Sequence, residues 1–82
     1  MLENRLAVIS IIVENRAESP QINSLLSDFG DYVIGRMGLP YKQKSVSVIS
    51  VVLDAPTEVI NTLTGKIGML KGVTAKTLMS KI

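Results

Sequence analysis

The chain of 82 residues contains no cysteine, no histidine and no tryptophan. Without cysteine it has no disulfide framework, and without cysteine or histidine it has no zinc site of the usual ligand types. The lack of histidine also removes the side chain that most often serves as a general base near neutral pH. We therefore expect no catalytic residue, no metal and no other cofactor, so the chain is not expected to be an enzyme.

Long apolar runs are also lacking. The longest is "LAVISIIV", residues 6–13, which Ser10 interrupts and which is too short to span a bilayer as a helix. The first residues, "MLENR", lead into this run without a signal-peptide pattern, so we expect a cytoplasmic protein with no membrane partner. The net charge of +2 is mildly basic and lacks the dense basic stripe of a nucleic-acid binder.

Hydrophobic patterning predicts four strands in a single domain, residues 1–82. Residues 5–13 and 45–53 are apolar on both faces, which is typical of central strands. The stretch "GDYVIGRMGLPY", residues 30–41, supplies the second strand, and the alternating residues 73–80 supply the fourth. The two central strands contain no aromatic residue, which argues against RNA binding by base stacking on the sheet.

Two helices are predicted between these strands. The first has Ser19 as its N-cap and Pro20 as its first residue, and it stops at Gly30, which we expect in the left-handed conformation. The second opens at Asp54 or Ala55. The order is then βαββαβ, which predicts the α+β class: a ferredoxin-like sandwich with antiparallel sheet order 4-1-3-2 and two helices on one face.

Alternation along the strands predicts which residues face the helices. That set is Ile9, Ile11, Val13, Val33, Met37, Leu39, Ile49, Val51 and Leu53. The opposite face would carry Val8, Ser10, Ile12, Ile34, Arg36, Val48, Ser50 and Val52, with Lys76 and Leu78. This second face is largely apolar, so we interpret it as the contact face of a homo-oligomer, a dimer or tetramer. Alternatively, loops and side-chain stems of the same chain cover part of it.

The second strand places Arg36 between Gly35 and Gly38. Because a strand glycine often marks a bulge or a close backbone approach, Arg36 could lie along the bare backbone and reach a carboxylate or carbonyl of a partner chain. Alternatively, the glycines relieve crowding beneath a helix. A second hypothesis concerns the loops at one end of the sheet, which carry Arg16, Lys42, Lys44 and Lys71. They could receive an anionic ligand near the helix N-terminus, or they are ordinary solvated charges.

Three segments carry a family resemblance: "VISIIVENR", "DYVIGRMGLPY" and "SVSVISVVLDAPTEVINTLTGKIGMLKGVTAKT". Together they resemble the iron-only hydrogenase system regulators, most specifically in "IGRMGLPY" and "LTGKIGMLKGV". The resemblance implies an ACT-like domain similar to the C-terminal domain of the nickel-responsive regulator. Such domains assemble into oligomers, and many bind small effectors at subunit interfaces.

The chain departs from those relatives in three respects. It lacks the histidine and cysteine ligands of nickel sensing, and because its first strand begins near residue 5, we expect no direct DNA-binding element. The loop "ENRAESP" lacks the glycine usual in ACT domains that bind amino acids. The resulting hypothesis is a homo-oligomeric regulatory module in a transcription or hydrogenase-system context, with Asn15, Arg16, Arg36 and Tyr41 contacting a small effector or protein partner. The alternative is a purely structural oligomerisation domain without ligand.

Overall fold

The computed structural model describes residues 3–81, so Met1, Leu2 and Ile82 lie outside the description. Its strands and helices are β1 (Asn4–Val13), α1 (Ser19–Asp28), β2 (Val33–Tyr41), β3 (Val46–Pro56), α2 (Thr57–Gly68) and β4 (Val73–Met79). Short 3₁₀ helices, Arg16–Glu18 and Lys42–Lys44, follow β1 and β2. The strands form one sheet in the order β2-β3-β1-β4, and every adjacent pair is antiparallel. The predicted α+β, ferredoxin-like fold is confirmed.

The core lies between the sheet and the two helices. Alternate residues of β1 are buried, from Ala7 to Val13, and so are Val51, Leu53 and Ala55 of β3. The helices contribute Ile22 and Leu26 from α1 and a stripe of three residues from α2. The full set is Ala7, Ile9, Ile11, Val13, Ile22, Leu26, Val51, Leu53, Ala55, Ile60, Leu63, Ile67 and Val73. Burial of one such large aliphatic side chain contributes about 1.5–3 kcal/mol, which fixes the helices to this face.

The predicted start of the second helix is wrong. Asp54 and Ala55 belong to β3, where they pair with Leu6 and Arg5, and α2 begins at Thr57. The reason is the length of β1, whose first residues supply hydrogen-bonding partners that the local sequence does not reveal. Pro56 is the last residue of the strand: it is still extended, with ψ of 147°, but it has no N–H to donate to the ladder, and it occupies the N-cap position of α2.

The start of α1 also differs from the prediction. Ser19 is the first helical residue rather than the N-cap, and Glu18 occupies the N-cap position without a side-chain capping bond. The 3₁₀ turn before α1 explains the shift. In that turn the Glu18 N–H already donates a hydrogen bond to the Asn15 carbonyl.

The helix α1 does not end in a left-handed glycine as predicted. Within residues 3–81, positive φ occurs at Ser45 and Gly72, and not at Gly30. The Gly30 N–H instead donates to the Ser27 carbonyl at 3.0 Å, closing the helix in a tighter turn. A Cβ at Gly30 would lie 3.0 Å from that same oxygen, so a close approach explains the glycine here.

Candidate functional site

A β-bulge at Ile34 determines what each face of β2 presents. Val33 pairs with Leu53, and Gly35 pairs with Val52, so Ile34 is the extra residue between them. In an uninterrupted strand Ile34 would pair with Val52, and every later residue would point to the other face. A bulge of one residue therefore reverses the remainder of the strand.

The predicted faces of β2 are consequently wrong from Gly35 onward. Arg36 pairs with Val51, a core residue, and therefore lies on the helix side of the sheet rather than on the opposite face. Met37 and Leu39 pair with Ser50 and Val48 and lie on the opposite face rather than under the helices. Both are well exposed, at 71% and 60%.

We call the face without helices the open face. The register places six of its eight predicted residues there: Val8, Ser10, Ile12, Val48, Ser50 and Val52. Ile34 sits in the bulge, 63% exposed, and Arg36 is on the other side. Leu78 is paired with Val8 and is 74% exposed, which extends the apolar surface across β4. The open face thus carries apolar residues on all four strands, with Ser10, Ser50, Thr74 and Lys76 between them.

The helix side of the β2–β3 pair holds a groove of about 350 Å³ beside α1. We call it the Arg36 groove; its lining is Ser19, Asn23, Arg36, Gly38, Leu39, Pro40, Ser47 and Ile49, of which Leu39 belongs by register to the opposite face and borders the groove at its edge. The Arg36 Nη2 donates a hydrogen bond to Asn23 Oδ1 at 3.0 Å, which joins the edge strand to α1. Ser19 and Asn23 of α1 form one wall of the groove, and residues of β2 and β3 form the rest.

The two glycines that flank Arg36 leave space in the folded chain. A Cβ at Gly35 or Gly38 would meet no atom within 4 Å, and neither residue has a positive φ. Relief of crowding beneath a helix therefore does not explain them. Gly35 opens onto the open face and Gly38 onto the Arg36 groove, so each leaves bare backbone on a different surface.

The four predicted contact residues do not meet in one site. Asn15 accepts a hydrogen bond from the Ala17 N–H at its Oδ1, 3.2 Å away, and so caps the 3₁₀ turn. Arg16 is exposed in that turn. Tyr41 pairs with Val46 at the end of β2, on the open face, about 17 Å along the strand from Arg36.

Asn23 and Ser19 lie with Arg36 in the groove; the sequence predicted Ser19 at the N-terminus of the first helix, near a possible anion site, and did not single out Asn23. The signal available was the position of Asn23 next to the apolar stripe of α1, where a polar side chain can face an edge strand. The position of Asn23 becomes informative only once the bulge is known, because without the bulge Arg36 would lie on the face without helices.

The charged loops do share one end of the sheet. Val13, the last residue of β1, pairs with Ser47 and Val73, which brings the loops after β1, after β2 and before β4 together. Among residues 3–81, no group of three or more metal-ligating side chains lies close enough to hold an ion. Neither helix in that same range is long and apolar enough to cross a membrane.

Comparison with known proteins adds a family and a solved structure. A family model described as "TM1266-like: Iron-only hydrogenase system regulator, putative" matches residues 5–77. The structure of the uncharacterized protein TM1266 from Thermotoga maritima superposes with a TM-score of 0.91. It is 31% identical, and the match covers 96% of this chain and 100% of that one. No curated protein matches the chain.

Proposed function

The chain belongs to the TM1266-like family, and we propose that it acts as a homo-oligomeric regulatory module of an iron-only hydrogenase system. In this proposal the subunits pack against one another through the open face. A small effector or a protein partner then changes the state of the assembly, which passes the signal on. The proposal assigns the chain no chemical turnover.

The observation that carries the proposal is the exposed apolar surface of the open face. Its largest contributors, Met37 and Leu78, are 71% and 74% exposed, and Leu6, Ile12, Leu39 and Val48 are also exposed. Contiguous apolar surface of this kind usually marks an interface. A chain of 82 residues also has a small core, so burial of this face against a partner would add substantially to its stability.

The composition of the open face favours a second copy of the chain as the partner. Its centre holds the small residues Ser10, Ser50 and Gly35, which let another sheet approach to the usual packing distance of about 10 Å. By register, its charged residues are Asp54 and Lys76, which sum to zero. The face therefore does not repel a copy of itself, and a twofold axis would pair it with the same surface.

Native mass spectrometry of the purified protein tests the assembly. The wild type should appear at a multiple of 8.9 kDa, and Met37→Lys should shift it toward the monomer. Met69→Lys is the matched control, because Met69 is 85% exposed in the turn after α2, away from the open face. A monomeric wild type at micromolar concentration, or equal behaviour of the two variants, would refute the proposal.

The same spectrum separates regulation from assembly alone. A small molecule retained by the protein as purified, seen as added mass on each subunit, supports an effector-binding module. An oligomer without added mass, which also stays unchanged on addition of cell metabolites, supports the purely structural oligomerisation domain.

A further inference from the structure

We propose that the Arg36 groove is a binding site for a small carboxylate ligand, an assignment that rests on the regulatory function proposed above and names its effector class. The carboxylate would pair with the Arg36 guanidinium, and the rest of the ligand would lie along the backbone at Gly38. Three independent features of the groove support this: its charge, the fixed position of its arginine, and its shape.

The charge of the groove favours an anion. Arg36 is the one charged residue of its lining. Within residues 3–81, the polar partner of the guanidinium is the neutral amide of Asn23, and no carboxylate lies within ion-pair distance of it. An arginine paired with a neutral acceptor keeps its full positive charge available, and the groove supplies no acid to neutralise it.

The hydrogen bond that Arg36 Nη2 donates to Asn23 Oδ1 orients the guanidinium toward α1. It uses one N–H of Nη2, and the remaining N–H groups of the five are left for a ligand. Because the guanidinium is planar, its remaining N–H groups lie in one plane with the group that is bonded to Asn23. A carboxylate matches that plane through two parallel hydrogen bonds, which a halide or a neutral amide cannot form equally well.

The shape of the groove limits the ligand to a small one. Its volume of about 350 Å³ lies at the lower end of the range for ligand pockets, which is about 300–1,000 Å³. Ser19 and Ser47 offer hydroxyls, and Pro40 and Ile49 offer apolar surface. Gly38 has open space where a Cβ would be, so a ligand can approach the strand backbone there.

The site is tested by titrating ¹⁵N-labelled full-length protein with acetate, succinate and benzoate at constant ionic strength. The neutral controls are acetamide, succinamide and benzamide, which have nearly the same shape without the charge. The readout is the side-chain signals of Arg36 Nε–H and Asn23 NH₂. We expect saturable shifts of both with at least one carboxylate, and none with its amide.

Three variants decide whether the groove is responsible. Arg36→Gln should weaken the binding by about 10- to 100-fold. Asn23→Asp should weaken it similarly, because the new carboxylate forms an ion pair with the guanidinium and competes with the ligand. Arg5→Gln removes the same charge from an exposed residue at the other end of β1 and should leave the affinity unchanged.

Two results would overturn the proposal. One is the absence of saturable shifts at Arg36 with all three carboxylates. The other is an equal loss of binding in Arg36→Gln and Arg5→Gln, which would indicate a general response to charge. Native mass spectra of the same samples report the oligomeric state separately, so a failed site and a failed assembly are distinguishable.

Discussion

Gly72 is the position where replacement of one hydrogen by a methyl group should destabilise the protein most directly. It lies in the turn before β4 with φ of +74°, a conformation that costs an L-residue about 1–2 kcal/mol. A Cβ there would also stand 2.8 Å from the Cβ of Asn15, well inside van der Waals contact. That atom is held by the backbone of the loop after β1, whose Glu14 N–H donates to the Gly72 carbonyl at 2.8 Å.

The expected loss for Gly72→Ala is about 2–4 kcal/mol of unfolding free energy. The backbone term and an overpacking term of about 1–3 kcal/mol add, and the lower entropy of the unfolded alanine chain offsets about 0.4–1 kcal/mol. In a domain of this size, where 1 kcal/mol shifts the melting temperature by about 4–8 °C, such a loss lowers it by roughly 8–32 °C. Thermal and urea unfolding followed by circular dichroism measure it, at one protein concentration because assembly makes stability concentration-dependent.

Gly65→Ala is the matched control. Gly65 lies inside α2, and a Cβ there would meet no atom within 4 Å, so alanine should raise the stability by about 0.5–1 kcal/mol. The double variant Gly72→Ala with Asn15→Gly removes the close Cβ contact and should recover part of the loss. If Gly72→Ala were as stable as the wild type, both the left-handed turn and its contact with the loop would be wrong.

Three further outcomes follow from the packing and the register. Leu63→Ala should lower the unfolding free energy by about 2–5 kcal/mol, because Leu63 is fully buried, whereas Met69→Ala should change it by less than about 0.5; urea unfolding distinguishes them. Thr77→Val should lose about 1 kcal/mol in the same assay, since it removes the hydroxyl contact with Thr64 that joins β4 to α2. Deletion of Ile34 should leave Gly35 paired with Val52 and the later pairs of β2 unchanged, whereas deletion of Met37 should move the residues after it to the opposite faces of the sheet; nuclear Overhauser contacts across β2 and β3 distinguish the two.

Much of the fold was predictable because its main signals are repeated along the chain. Two strands that are apolar on both faces belong in the middle of a sheet, and only one common arrangement of βαββαβ places them there. The helix boundaries were less predictable because each depends on a distant partner. Asp54 and Ala55 look like a helix start in isolation, yet β1 pairs with them and keeps them in a strand.

The candidate site was the least predictable part, because its placement depends on one unpaired residue. Glycines in β2 indicated a bulge, but no local pattern states whether the extra residue falls before or after Arg36. Because Ile34 is the extra residue of the bulge, Arg36 faces α1 and donates a hydrogen bond to Asn23. Met37 and Leu39 then lie on the open face. Because the predicted register lacked this bulge, the prediction missed the groove and assigned too few apolar residues to the open face.

The bulge also makes β2 the strand that the two proposed surfaces share. Successive residues alternate between them: Met37 lies on the open face, and its neighbours Arg36 and Gly38 lie in the groove. A ligand that moves the backbone at Gly38 must move Met37 with it, because adjacent residues of a strand cannot shift independently. A partner copy seated on Met37 would likewise restrict β2 and alter ligand affinity, since coupling between two binding sites is reciprocal. If both proposals hold, the arginine between two strand glycines lets this edge strand contact a ligand on one side and a subunit on the other, which would couple ligand binding to assembly.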